Sequence, residues 1–187
     1  MDLQISVFLL FILFTAGHSL SCYECKGLNG SCADQTVQTC HSGYSQCMSS
    51  TGVSKFGEVS GKVKTKDCAF ACQSGSLNLG YIKTTTSCCD TDKCNLQDAP
   101  DPSDIPNGKT CYSCDIQSCT NTLICSGDED HCIQITSTFG GQSTVLKGCA
   151  SKSLCDGIEF DLGVASFACC KGNLCNGAQS VNQRWEL

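Results

Sequence analysis

Two stretches of this chain repeat one unusual arrangement of cysteine. Cys88-Cys89-Asp90-Thr91-Asp92-Lys93-Cys94-Asn95 is a doublet, a four-residue gap, a third cysteine and an asparagine; it returns as Cys169-Cys170-Lys171-Gly172-Asn173-Leu174-Cys175-Asn176. With 20 cysteines in 187 residues, the chain has the composition of a disulfide scaffold. The cysteines fall into two rows of ten. The first is Cys22, Cys25, Cys32, Cys40, Cys47, Cys68, Cys72, Cys88, Cys89 and Cys94; the second is Cys111, Cys114, Cys119, Cys125, Cys132, Cys149, Cys155, Cys169, Cys170 and Cys175. Both open Cys-x-x-Cys with tyrosine in second place, as Cys22-Tyr23-Glu24-Cys25 and Cys111-Tyr112-Ser113-Cys114. Both leave six residues between the fourth and fifth cysteines. The chain is an internal duplication.

Units of about eighty residues are near the limit at which a hydrophobic core alone is sufficient, and aromatic residues make up only 7% of this chain. Cross-links fill the gap, each contributing roughly 2–4 kcal/mol by restricting the unfolded chain, and such a density of them requires an oxidising compartment. The N-terminus agrees. Ile5 to Ala16 is an apolar run of signal-peptide length, too short to span a bilayer comfortably, with Gly17 and Ser19 placed as a cleavage signal before Leu20. The segment before it carries Asp2 and no basic residue, a departure from the usual positive start. The tail, 177–187, has only Ala178, Val181, Trp185 and Leu187 as apolar residues, whereas a lipid-anchor signal needs a hydrophobic stretch of roughly 10–20. The expectation is a signal peptide over 1–19 and a secreted, extracellular protein without a membrane anchor.

All three prolines, Pro100, Pro102 and Pro106, lie between the repeats. Proline lacks a donor and fixes φ, so residues 96–108 read as an extended linker between domains at 20–95 and 109–176. Such a linker either tethers the domains loosely or runs along an interface. Within each repeat the signal is β. Lys62 to Lys66 alternates charge with β-formers, Tyr81 to Thr86 is rich in β-branched residues, and Cys132 to Thr136 alternates. Phe139-Gly140-Gly141-Gln142 reads as a hairpin turn, and Gly52, Gly57 and Gly61 read as a looser bend at the equivalent place in the first repeat. Cys155 to Gly163 is expected to hold at most a short helix. The fold class is all-β, small and disulfide-rich.

The opening Cys-x-x-Cys and the closing Cys-Cys-x4-Cys-Asn together resemble the Ly-6/urokinase-receptor family of three-finger domains, over Leu20 to Asn95 and Thr110 to Asn176. Counting cannot give connectivity. The resemblance implies Cys22–Cys47, Cys25–Cys32, Cys40–Cys68, Cys72–Cys88 and Cys89–Cys94. In the second domain it implies Cys111–Cys132, Cys114–Cys119, Cys125–Cys149, Cys155–Cys169 and Cys170–Cys175. It also implies that Asn95 and Asn176 hydrogen-bond back into the disulfide hub. A redox or zinc reading of Cys-x-x-Cys is disfavoured, because a secreted cysteine normally ends in a bridge and only His41 and His131 follow the leader to complete a mixed site.

No nucleophile–base pair, carboxylate pair or metal set can be assembled from these residues. The chain reads as a non-enzyme with no cofactor, catalytic residue or metal site. His41 and His131 read as surface or hub residues, and Asp128-Glu129-Asp130 reads as a solvated turn, since it lacks the spaced ligands of a calcium loop. A formal net charge of −6 disfavours nucleic acid as a partner. Three-finger domains act by presenting loops to a protein, and two in tandem without an anchor look most like the gamma-type phospholipase A2 inhibitors. The expected partner is therefore a secreted phospholipase A2; the alternative is a receptor ectodomain, with the chain as its soluble ligand or modulator. Within the first domain Lys55, Lys62, Lys64 and Lys66 concentrate on the second finger, either as a solvated hairpin or as a contact for an acidic patch on the partner. Asn29-Gly30-Ser31 is an N-glycosylation sequon in the small first loop.

Overall fold

The computed structural model describes residues 19–115, 117–157 and 165–177. The leader up to residue 18 and the tail from 178 lie outside the described residues. Three hairpins project from the first disulfide hub, and two hairpins, a short helix and a further strand make up the described part of the second domain. In the first domain the hairpins are β1 (Ser21–Gly27) with β2 (Thr36–Thr39), β3 (Gln46–Phe56) with β4 (Val59–Ala69), and β5 (Gly75–Asn78) with β6 (Ile82–Cys89). A 3-10 turn spans Cys94–Leu96. The second domain has β7 (Pro106–Ser113) with β8 (Asn121–Ser126), β9 (His131–Phe139) with β10 (Gln142–Ala150), then α1 (Lys152–Gly157) and β11 (Ala165–Cys170). The architecture is two tandem three-finger domains.

Turn chemistry sets the long hairpins. Gln142 pairs with Phe139, leaving Gly140 and Gly141 as the two turn residues, at φ 58° and 81°. Both central positions of a type I′ turn need positive φ, which glycine adopts without a Cβ clash. In the first domain the bend is tighter than its glycines suggest. Phe56 pairs with Val59, so the turn is Gly57-Glu58, whereas Gly52 and Gly61 lie inside the ladder opposite Val63 and Ser54. Only Gly57 of the three has positive φ, at 62°; one glycine at the first turn position is enough for a type II′ connection. The helix also begins earlier than expected, at Lys152, and residues 158–164 lie outside the described part.

The bridges form the cores. Cys22, Cys40 and Cys47 are buried together in the first domain, and Cys111, Cys125, Cys132 and Cys149 in the second. The asparagine after each terminal cysteine stitches the hub to the fingers. Asn95 accepts from the Tyr23 amide at 2.8 Å and donates to the carbonyls of Tyr23 and Met48, each at 2.9 Å. Asn176 accepts from the Tyr112 amide at 2.9 Å and donates to the carbonyls of Tyr112 and Ile133, each at 3.0 Å. Immediately before each terminal cysteine, Lys93 and Leu174 sit in left-handed conformation at φ 56° and 57°, the only such non-glycine residues described. Their amides are committed to the Ser21 and Thr110 carbonyls, at 2.7 and 2.8 Å. The duplication therefore extends to backbone conformation.

One sheet runs through both domains in the order β2-β1-β4-β3-β6-β5-β10-β9-β11, with β7-β8 apart from it. The continuity depends on a short antiparallel contact, Leu77 opposite Ala150 and Asn78 opposite Cys149. Gly148 makes it possible: a Cβ there would lie 2.0 Å from the Asn78 carbonyl oxygen.

Candidate functional site

Three features lie where the domains meet. The first is the linker, which binds to the face of the second finger. Alternation along β4 places Lys62, Lys64 and Lys66 on one side of the strand, and the acids of the linker pair with them. Lys62 meets Asp101 at 2.6 Å, Lys64 meets Asp98 at 2.7 Å, and Lys66 meets Asp98 at 3.0 Å. Lys66 is only 2% exposed, and its ammonium also donates to the Leu96 carbonyl and the Gln35 side chain. Thr51 and Ser49 fix the backbone of buried Ala99 from below, at 2.6 and 2.8 Å. The Lys64 ammonium bonded to Asp98 holds that carboxyl below its ordinary value, and Lys83 does the same to Asp104. Of the two courses open to a proline-rich linker, this one follows an interface. The acidic patch that Lys62, Lys64 and Lys66 face is the chain's own linker. Lys55 is exposed, and no ion pair holds it among the described residues.

The second feature is the junction, where Glu129 departs from the solvated turn expected of Asp128-Glu129-Asp130, while Asp128 stays exposed. Glu129 is 2% exposed; it accepts from the Ser126 amide at 2.8 Å and from the Asn78 side chain of the first domain at 3.1 Å. Asp128 accepts from the Ser76 hydroxyl at 2.5 Å, and Asp130 from the Lys152 amide at 2.9 Å. Burial pushes the Glu129 carboxyl up from its usual range. The first-domain partners lie about fifty residues away in sequence, which is why local charge pattern gave no warning.

The third feature is a cavity of about 550 Å³ between the domains. Leu79, Gly80 and Tyr81 contribute from the turn after β5, Thr144, Val145 and Leu146 from β10, and Ser113 to Asp115 from the end of β7, with Lys55 also lining it. Such concave, largely apolar clefts at domain boundaries are where ligand and partner groups are commonly received. A trace of it was present in the sequence: four residues separate Cys114 from Cys119, against six between Cys25 and Cys32. The shorter loop curls. Asp115 accepts from the amides of Gln117 and Ser118, both at 2.7 Å, and from Asn121 at 2.7 Å. The Asn121 bond, followed by these two amides, lowers its pKa.

Away from the junction, bridges join Cys22–Cys47, Cys25–Cys32, Cys40–Cys68, Cys72–Cys88 and Cys89–Cys94. In the second domain they join Cys111–Cys132, Cys114–Cys119, Cys125–Cys149, Cys155–Cys169 and Cys170–Cys175. Asn29 is exposed in the turn between β1 and β2, followed by Gly30 at φ 71°. His41 is exposed, and His131 Nδ1 lies 2.9 Å from Asp130.

Two hubs of this kind, each closed by a doublet loop and an asparagine staple, define tandem three-finger domains. Residues 18–97 match the u-PAR/Ly-6 domain family, and residues 110–176 match the family of snake toxin and toxin-like proteins. The chain is 32% identical to a gamma-type phospholipase A2 inhibitor of Elaphe climacophora over 174 residues, 80% of this chain and 82% of that protein. It is 30% identical to the urokinase plasminogen activator surface receptor of Rattus norvegicus over 196 residues, 87% of this chain and 56% of the receptor. The Bos taurus receptor is 34% identical over 108 residues, 48% of this chain and 31% of the receptor. The chain thus spans about half the length, or less, of the receptors it matches. It belongs to the Ly-6/uPAR three-finger family. Among the described residues no helix is long and apolar enough to cross a membrane.

Proposed function

We propose that this chain is a secreted, non-enzymatic binding protein whose target is a secreted phospholipase A2, which it keeps from its lipid substrate. What supports this reading is likeness: a phospholipase A2 inhibitor is 32% identical to this chain over 174 residues, 80% of this chain's length. The geometry is consistent with this reading. The two domains are joined by paired strands and a linker held down by ion pairs, so their facing surfaces are presented at a fixed relation. A preorganised surface loses less conformational entropy on binding. The interdomain cavity is the part of that surface drawn from both domains.

The test is direct. Protein prepared with all bridges formed is mixed with a panel of purified secreted phospholipases, and hydrolysis of phospholipid vesicles is followed. Stoichiometric inhibition of at least one enzyme is expected, with a stable complex on gel filtration. No binding and no inhibition at micromolar concentration would overturn the assignment and leave a receptor ectodomain as the class of target to screen. Occupancy of Asn29 by a glycan is proposed separately, and a glycosidase-dependent mobility shift of secreted protein checks it.

A further inference from the structure

The loop between the fourth and fifth cysteines has one shape in both domains and different surroundings. It runs from Cys40 to Cys47 in the first and from Cys125 to Cys132 in the second. The Tyr44 amide donates to the His41 carbonyl and the Glu129 amide to the Ser126 carbonyl, both at 3.1 Å. Tyr44 and Glu129 therefore hold the same place in the same turn. The strands beside the loop agree, since Gln46 lies opposite Ala69 as His131 lies opposite Ala150. Phe70 thus stands where Ser151 stands in the second domain.

In the second domain these two places carry the junction. Glu129 accepts from Asn78, and the Ser151 amide and hydroxyl bond the Ser76 carbonyl and amide, both at 3.0 Å. In the first domain the same places hold aromatic rings, Tyr44 43% exposed and Phe70 66% exposed. The Phe70 ring lies across the turn, 3.7 Å from where a Cβ on Gly43 would stand. Single apolar residues at a surface are ordinary, but adjacent aromatics at two places that form an interface in the sibling domain mark a docking face. That face cannot take a strand as the junction does. Gly148, which admits the Asn78 carbonyl, is replaced by Asp67, whose carboxylate accepts from the Gln38 side chain at 2.6 Å and the Cys68 amide at 2.7 Å. A partner must meet it with side chains.

Charge selects the side chain. Tyr44 lines a cavity of about 650 Å³ together with His41, Asp90 and Asp92. Asp92 accepts from the Ser21 amide at 2.9 Å, beside the α-ammonium that removal of the leader would expose at Leu20. Asp90 is exposed, and no ion pair, with His41 or any lysine, holds it among the described residues. The second domain has Lys171 and Asn173 in place of Asp90 and Asp92, so the acidity, like the aromatic pair, belongs to the first domain alone. Arginine stacks its planar guanidinium on aromatic faces and bonds carboxylates through its fork of donors.

We propose that the Tyr44–Phe70 face of the first domain is a docking surface that receives an arginine of the partner protein, stacked on Tyr44 with its charge against Asp90. An aliphatic or aromatic neighbour of that arginine would cover Phe70. This rests on the reading of the chain as a protein-binding module, and it specifies the chemistry of what is bound.

A displayed library of random decapeptides, selected on the full chain, tests this without any phospholipase, so its failure and that of the enzyme assignment are read separately. Enriched peptides should carry arginine beside an aliphatic or aromatic residue. Replacing that arginine by citrulline, which keeps the shape and removes the charge, should weaken binding about tenfold. Phe70→Ser and Asp90→Lys each install the residue that the second domain carries at the same place, and each should weaken binding similarly. Asp90→Lys, on the exposed side of the doublet loop, gives the reading if Phe70→Ser folds poorly. No enrichment, or peptides indifferent to citrulline and to both variants, would overturn the proposal. Sedimentation showing a homodimer lost in Phe70→Ser would also overturn it, by assigning the face to a second copy of this chain. Binding to phosphatidylcholine vesicles lost in the same variant would do so by assigning it to a lipid surface.

Discussion

The two domains share a hub and differ at the flank. Each terminal asparagine makes the same set of bonds to the first and third strands, and each doublet loop carries a left-handed residue at the same place. Those features are set by cysteine spacing and were retained through duplication. The flank is set by single side chains. Finger one of the first domain runs on as strand and pairs with β4, whereas in the second Asp115 caps the amides of Gln117 and Ser118 and, among the described residues, no strand other than β9 pairs with Val145 or Leu146. Charge follows the same division. The first domain pairs its buried Lys66 with the linker, while the second buries Glu129 against Asn78 of its neighbour. One framework has thus produced two different flanks, and that of the second domain lines the interdomain cleft.

The largest effects should come from what is shared. Asn95→Ala takes a partner from three backbone groups and Asn176→Ala from four, and each should cost its domain about 3 kcal/mol in denaturant unfolding. The two losses should agree within about 1 kcal/mol; a large disparity would mean the hubs are not equivalent. Asp98→Asn takes the carboxylate from buried Lys66, which keeps only two neutral acceptors, and should cost about 2 kcal/mol.

Substitutions at the glycines separate junction from hairpin. At Gly148 an added Cβ meets the Asn78 backbone oxygen at 2.0 Å, so Gly148→Ala should part the domains, raising amide exchange at Leu77 and Asn78 while both hubs stay folded. At Gly52 the nearest atom to such a Cβ is a Thr84 methyl at 3.6 Å, so Gly52→Ala should leave exchange at those residues unchanged.

The pH dependence should have opposite signs in the two places. Asp98 is lowered below its ordinary 3.8, so its contribution is present above that pH and is lost as pH falls through the lower, folded value. Glu129 is raised above 4.5, so the folded junction holds its proton more tightly, and stability increases as pH falls through the raised value toward 4.5. Glu129→Gln should abolish the second trend and leave the first. Smallest of all, Asp101→Asn breaks an exposed pair with Lys62 and should change stability by less than about 0.5 kcal/mol.

The three-finger class was legible because the opening Cys-x-x-Cys and the closing doublet with its asparagine resemble a known family; spacing alone left the pairing open. The hairpin at Gly140-Gly141 was legible because positive φ at both turn positions demands glycine. The site was not. Gly148 looks like any strand glycine until Asn78, seventy residues earlier, is brought against it. Glu129 looks solvated until Asn78 arrives, and Lys62, Lys64 and Lys66 look available until the linker acids close on them. Each of those facts belongs to two distant segments. The missing two residues between Cys114 and Cys119 were the only local sign that a finger had been shortened.

Amide hydrogen exchange at two residues, Lys64 and Val145 in the free protein, tests the difference between the flanks most directly. Lys64 should be protected by finger one, and Val145 should exchange at least about a hundredfold faster. Equal protection at the two would contradict a difference between the flanks.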